Sequence, residues 1–132
     1  GPERIYSSIV LLDAWIAHLG QVSASEARVA RVGGLMAQLA ALRQMSISVT
    51  ARLEAGESPA VEASLVKDLG TSFEQSIPTI IADDLASHPE EEVADELMAT
   101  LKLVTHIAPS FSLRGGTREI LRGIIARGLG LR

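Results

Sequence analysis

The chain has 132 residues and a formal net charge of −4, from 12 Lys and Arg against 16 Asp and Glu. That length allows one domain with an apolar core and is short for two. An acidic chain without a basic cluster excludes a nucleic-acid-binding face. Having no cysteine, it excludes disulfides, thiolate chemistry and a Cys-based zinc site, which fits a cytoplasmic protein.

Hydrophobic residues make up 47% of the chain and aromatics only 3%, so Leu, Ile, Val and Ala must build the core. Period-2 runs of β-branched and aromatic residues are missing, and the pattern predicts helices. Ile5, Ile9, Leu12, Ile16 and Leu19 form the stripe of a first helix, which Gly20 ends as C-cap. This stretch is broken by Asp13 and His18 and falls short of the ~18 apolar residues of a membrane span. Membrane insertion is therefore not expected.

Ser23 and Glu26 stand at capping-box spacing before a second helix. Its stripe, Val32, Leu35, Leu39, Leu42, Val49 and Leu53, runs to Gly56, about thirty residues or ~45 Å. Ser58-Pro59 starts a third helix, with Val61, Leu65, Leu69, Phe73 and Ile77 repeating every four residues. Pro78 predicts a kink or break. His88-Pro89 followed by Glu90, Glu91 and Glu92 predicts the solvated, acidic start of a fourth helix. Val93, Leu97, Leu101 and Val104 form its stripe, and Pro109 stops it.

Short connections between such segments favour antiparallel neighbours. The predicted fold class is all-α: an antiparallel up-down helical bundle of four long helices plus a short C-terminal helix, occupying residues 1–132. Val10, Leu11, Trp15 and Ile125 lie off any single stripe and predict a second buried face, covered by another domain or subunit.

The C-terminal stretch Gly115-Gly116-Thr117-Arg118-Glu119 is the most informative. Paired glycines permit a tight bend or a close approach to a ligand. Thr117 can cap the helix that follows, whose stripe is Ile120, Leu121, Ile124 and Ile125. Free N–H groups at such a helix start can hold a polar or anionic ligand. The run from Gly115 to Arg127 closely resembles the signature G-G-T-x-E-I-x-R-x-I-I-A-R of acyl-CoA dehydrogenases, which are FAD enzymes. Three other stretches are similar to that family: Glu3-Arg4 before an apolar helix, Gly34 to Gln44 (compare L-A-x-L-x-A-L-R), and Ala55 to Thr71 (compare G-x-x-P-x-x-E-A-S-x-x-K-x-x-G-T). The resemblance covers nearly the whole chain but only the last third of a complete enzyme, without its N-terminal helical and β-barrel domains.

The resemblance implies FAD-dependent α,β-desaturation of an acyl-CoA thioester, with an isolated chain that is inactive and colourless. A carboxylate removes the α-proton and the flavin accepts the β-hydride. The family's usual base slot, just before G-T, is here Gly115, which has no side chain. In some branches the base lies in the E-R of the first bundle helix, which makes Glu3 the catalytic residue. On the residues alone, Glu3 is a first-turn carboxylate complementing a helix dipole. Gly115, Gly116, Thr117 and Glu119 are the implied cofactor-binding residues, and no metal is expected.

Two family motifs are missing. Where the family has R-x-x-F-G between its first two bundle helices, this chain reads Gln21 to Arg31 without Phe or a matching Gly. Where it has Q-x-x-G-G-x-G between the third and fourth, this chain reads Ile81 to Pro89 with neither Gln nor Gly pair. Both normally meet FAD. Hetero-oligomeric branches, in which a partner supplies lost motifs, are compatible with this pattern, and a homo- or hetero-oligomer through the bundle is expected. The alternative is a non-catalytic subunit or interaction domain that completes another subunit's site. His18, His88 and His106 show no metal-ligand spacing and read as solvated or capping residues.

Overall fold

The computed structural model describes residues 2–112 and 118–131. Among them the chain is all-α, with helices α1 (Pro2–Gln21), α2 (Glu26–Glu54), α3 (Ala60–Ala86), α4 (Asp95–Ile107) and α5 (Arg118–Gly128), and a 3-10 segment at Ala108–Ser112. No described helix is long and apolar enough to cross a membrane.

The helix ends show where local chemistry overrode the expected signals. Gly20 does not end α1, which continues through Gln21; the left-handed residue is Ser23, at φ 52°. Ala24 N–H donates to the Leu19 carbonyl across it, so a serine occupies the position that usually falls to glycine. Ser23 therefore cannot form a capping box with Glu26. Ser25 is the N-cap of α2, its Oγ accepting from Arg28 N–H at 3.4 Å. At the other end the expected stop at Gly56 is present. Gly56 has φ 82°, and Glu57 N–H and Gly56 N–H donate to the Arg52 and Leu53 carbonyls, a Schellman closure.

Helix α3 runs unbroken through Pro78. Glu90, Glu91 and Glu92 do not open α4, which begins at Asp95. Glu91 N–H donates to the His88 carbonyl in a turn, and the connection continues to Ala94. A side-chain anchor at Glu91, described below, holds this segment out of helix. Past Ile107, α4 tightens into the 3-10 segment that contains Pro109.

The chain divides into two compact units. The first comprises residues 2–35 and 74–111 among those described. Its core is built by Leu11, Leu12, Trp15 and Leu19 of α1, Leu35 of α2, Ile77 and Ile81 of α3, and Leu97, Leu101 and Val104 of α4, closed by Phe111. Helix α1 packs against α4, and Gln75 Nε2 donates to the Ala108 carbonyl at 3.1 Å. Leu11 and Trp15 are fully buried within this unit, so they do not form the outer face expected for a partner. Val10 and Ile125 are half-buried. The buried stripe of α1 is rotated from the expected one, taking in Ser8, Leu11, Trp15 and His18 and leaving Ile9 partly exposed. The indole of Trp15 carries the largest apolar area on this helix, and its burial sets the rotation.

The second unit comprises residues 36–73 and 112–131 among those described. Phe73 and Leu121 are buried there, together with the polar residues Ser64, Asp68 and Thr71. Leu53, Leu65 and Leu69, expected on core stripes, are exposed, as is Ile120. Arg52 bridges Glu57 and Glu62 on the surface of this unit, and the Arg122 Nε lies 3.7 Å from Asp68. The Glu62 carboxyl is held below its usual range by the Arg52 hydrogen bond. A Cβ on Gly128 would collide with Val61, so only glycine permits α5 to approach α3 there.

Candidate functional site

Four segments of the first unit converge on one buried polar cluster. Arg28 sits in the first turn of α2, at the residue whose N–H binds the Ser25 cap, and its side chain is only 8% exposed. Its Nε and Nη2 donate to Asp84 Oδ1 and Oδ2 at 2.9 and 2.8 Å. Its Nη1 and Nη2 donate to Glu91 Oε2 and Oε1 at 2.7 and 2.9 Å. One guanidinium thus grips two carboxylates through both edges, the geometry that arginine's fixed fork permits and lysine's does not.

Each carboxylate has a second donor. Trp15 Nε1–H donates to Asp84 Oδ2 at 3.0 Å. His18 lies 3.2 Å from Glu91 Oε1 through Nε2; an ionised carboxylate only accepts, so Nε2 carries the hydrogen. His88 Nδ1 faces the Asp84 backbone carbonyl at 2.8 Å and donates to it.

These contacts fix the protonation states. Arg28 is raised first by the hydrogen bonds it donates to Glu91 and then by those it donates to Asp84. Burial pushes the Asp84 carboxyl up, but the Arg28 and Trp15 hydrogen bonds outweigh it and the net direction is down. The Arg28 hydrogen bond draws Glu91 down to about 2, against burial and with help from His18. A general base at neutral pH needs the opposite, a carboxyl raised toward 7. The cluster is a clamp joining α1, α2, α3 and the α3–α4 connection, and both its acids are shifted down, away from that requirement. An open groove of about 320 Å³ passes its edge, lined by Arg28, Arg31, Asp83, Asp84 and His88 among others.

The expected site residues are placed as follows. Glu3 lies in the first turn of α1, its side chain outside the described part of the structure. Gly115, Gly116 and Thr117 lie outside the described residues. Glu119 is in the first turn of α5 and exposed. Of the histidines expected to be solvated or capping, His106 is exposed in the last turn of α4, His88 binds a carbonyl near the end of α3, and His18, in the last turn of α1, is not solvated but 4% exposed and bonded to Glu91. Glu91, expected in a solvated helix start, is turned inward. The described residues bring no three His, Asp or Glu together as a metal site.

Sequence reasoning missed the clamp, although one signal was present. Trp15 and His18 stand three residues apart on the face that carries Leu11, Leu12 and Leu19. Two ring N–H groups turned into a core require acceptors from elsewhere in the chain.

The α1–α2 and α3–α4 connections overlap the segments, Gln21 to Arg31 and Ile81 to Pro89, that stand where the resembled family has its two FAD-meeting motifs. In this chain they are tied to one another, because Arg28 just after the first is bonded to Glu91 of the second. The Arg28 guanidinium is committed to carboxylates and is not available to a pyrophosphate. The chain matches no protein family, no curated protein and no solved structure.

Proposed function

We propose that this chain is the C-terminal helical domain of an acyl-CoA dehydrogenase-like protein, in which Glu3 takes the α-proton of an acyl-CoA thioester. The observation that carries the reading is the Gly115-to-Arg127 string, whose last ten residues form α5. A helical fold agrees with it, but fold does not imply function and the weight rests on the string. The residues that would support FAD are Gly115, Gly116, Thr117 and Glu119.

One observation favours a second reading, a non-catalytic subunit that completes a partner's site. The two motifs with which the resembled family meets FAD, R-x-x-F-G and Q-x-x-G-G-x-G, are missing from Gln21 to Arg31 and from Ile81 to Pro89. One experiment separates the readings: Glu3→Gln in the complete protein, purified with any partner chains, assayed for acyl-CoA oxidation and FAD content. The substitution keeps size and removes basicity. The catalytic reading expects turnover to fall by at least about 100-fold with FAD content unchanged. Near wild-type turnover refutes Glu3 as the base and supports the non-catalytic subunit. A complete protein that neither contains FAD nor oxidises any acyl-CoA refutes both.

A further inference from the structure

One ring nitrogen of the clamp is left over, and it opens onto a groove. Glu91 accepts from His18 Nε2, so in the neutral ring the other nitrogen, Nδ1, keeps a lone pair. His18 is 4% exposed, and its Nδ1 has no hydrogen-bond partner among the described residues. Yet that nitrogen is not sealed in, as the unpartnered Ser8 hydroxyl is. The ring lines an open groove of about 390 Å³ between α1 and the start of α4. Arg28 fixes Glu91 and Glu91 fixes the ring, so the acceptor is oriented before any ligand arrives.

The lining of the groove determines what it accepts. Val10, Ala14 and Ala17 follow one face of α1, and Leu97 stands across from them on α4. Alanine at two of these positions leaves the space open and keeps its floor apolar. Asp13 of α1 and Glu96 of α4 also line it, both exposed and without an ion-pair partner among the described residues. No Lys or Arg is among the lining residues. Two carboxylates and an imidazole lone pair only accept hydrogen bonds, so the ligand must bring the donors and the positive charge. A metal ion does not suit these groups, because the described residues bring no three such ligands together. An ammonium does: it carries three N–H donors and no acceptor.

We infer that this groove binds a primary alkylammonium group. One N–H is donated to His18 Nδ1, the charge faces Asp13 and Glu96, and the alkyl stem lies on Ala14, Ala17 and Leu97. The groove contains neither Glu3 nor any residue of the Gly115-to-Arg127 string, so the inference does not rest on the flavin reading.

The test uses the full chain and n-butylammonium. Nitrogen-15 spectra of the three histidine rings at pH 7.5 are expected to place the His18 proton on Nε2. The His18 Nδ1 signal is expected to move as n-butylammonium is added, with a Kd on the order of 1 mM for so small a ligand. n-Butanol has the stem without the charge and butyrate reverses the charge; both are expected to leave the signal in place. Asp13→Asn/Glu96→Gln is expected to weaken binding at least about fivefold through lost charge attraction. Ala17→Leu fills the groove from an exposed position and is expected to abolish binding. An unchanged Nε2–H signal in the unliganded variants shows that the clamp is intact. Tighter binding of a blocked lysine amide than of n-butylammonium identifies a polypeptide lysine as the source, and weaker binding a free aliphatic amine. A proton on Nδ1 or on both ring nitrogens of the free protein would overturn the proposal. So would an equal response to n-butanol, undiminished binding in Ala17→Leu, or no response at ~50 mM n-butylammonium.

Discussion

Replacing Arg28 by Met tests whether the clamp is electrostatic. The substitution removes four charge-assisted hydrogen bonds of 2.7–2.9 Å and leaves Asp84 and Glu91 facing each other, at 12% and 11% exposure. Four bonds at about 1.5–3 kcal/mol each set an upper bound near 6–12 kcal/mol. Trp15 and His18 still donate to the carboxylates, and protonation or entering water relieves part of the remainder. A loss of about 3–5 kcal/mol, the usual result of stripping one partner from a buried pair, is therefore expected at pH 7. It lowers Tm by roughly 10–20 °C in a domain of this size.

The pH dependence is the more discriminating measurement. In the native protein Glu91 is depressed from 4.5 to about 2, so its stabilisation is complete above pH 4.5 and lost as pH falls toward 2. In Arg28→Met the same carboxyls are buried without a cation, and protonating them relieves the variant. Urea unfolding from pH 7 to pH 3 is therefore expected to show the two stabilities converging. Substituting Leu for both acids in the Met variant should recover only part of the loss, because Trp15 and His18 then lose their acceptors. A difference below 1 kcal/mol at pH 7, or one constant across pH, would refute an electrostatic clamp and leave only packing.

Glu91→Gln should destabilise the first unit at pH 7, with the difference from the native protein fading between pH 4.5 and 2 in the same unfolding assay. Ser23→Gly should stabilise by about 0.5–1 kcal/mol, because a left-handed serine is strained and glycine is not; thermal unfolding reads this directly, and a lower Tm contradicts it. Gly128→Ala, ordinarily stabilising in a helix by ~1 kcal/mol, should instead cost about 1–3 kcal/mol through collision with Val61. Faster amide exchange confined to α5 and the start of α3 is the expected signature.

The sequence was legible where burial follows a simple apolar period. Leu97, Leu101 and Val104 line the buried face of α4 as their spacing predicts, and the all-α class follows from many such stripes. It was illegible where one long-range polar contact outweighed the local pattern. Three acids after His-Pro make a good helix start, but Glu91 gains two hydrogen bonds from Arg28, sixty-three residues away, by staying out of helix. Likewise the α1 stripe turned to bury Trp15, whose N–H needed Asp84. No local period contains information about a partner in another segment. The candidate site divides the same way: the Gly115-to-Arg127 string is plain in sequence, and the clamp is a property of the fold alone.

The two units answer the demand for burial in opposite ways, and this bears on where function depends on assembly. In the first unit large apolar residues from four helices fill one core, and the charges of the Arg28 clamp are paired with one another. In the second, α3 turns Ser64, Asp68 and Thr71 inward while Leu65 and Leu69 are 37% and 41% exposed. Hydrophobic burial at ~25 cal/mol/Å² cannot favour that orientation in an isolated unit. Two local contacts can: Gly128 fixes how closely α5 approaches Val61, and Arg122 reaches toward Asp68 from the same helix. Helix α5 thus orients α3 by polar and steric means, and apolar surface is left outside on α2 and α3. A unit organised this way gains more from a covering partner than one with a filled core. If a partner covers this surface, conditions that dissociate it should loosen α5 and residues 60–73 of α3 before they affect the Arg28 clamp, whose Asp84 lies farther along α3. Amide exchange along a dilution series reads the order, and earlier opening of α1 or α4 would contradict it.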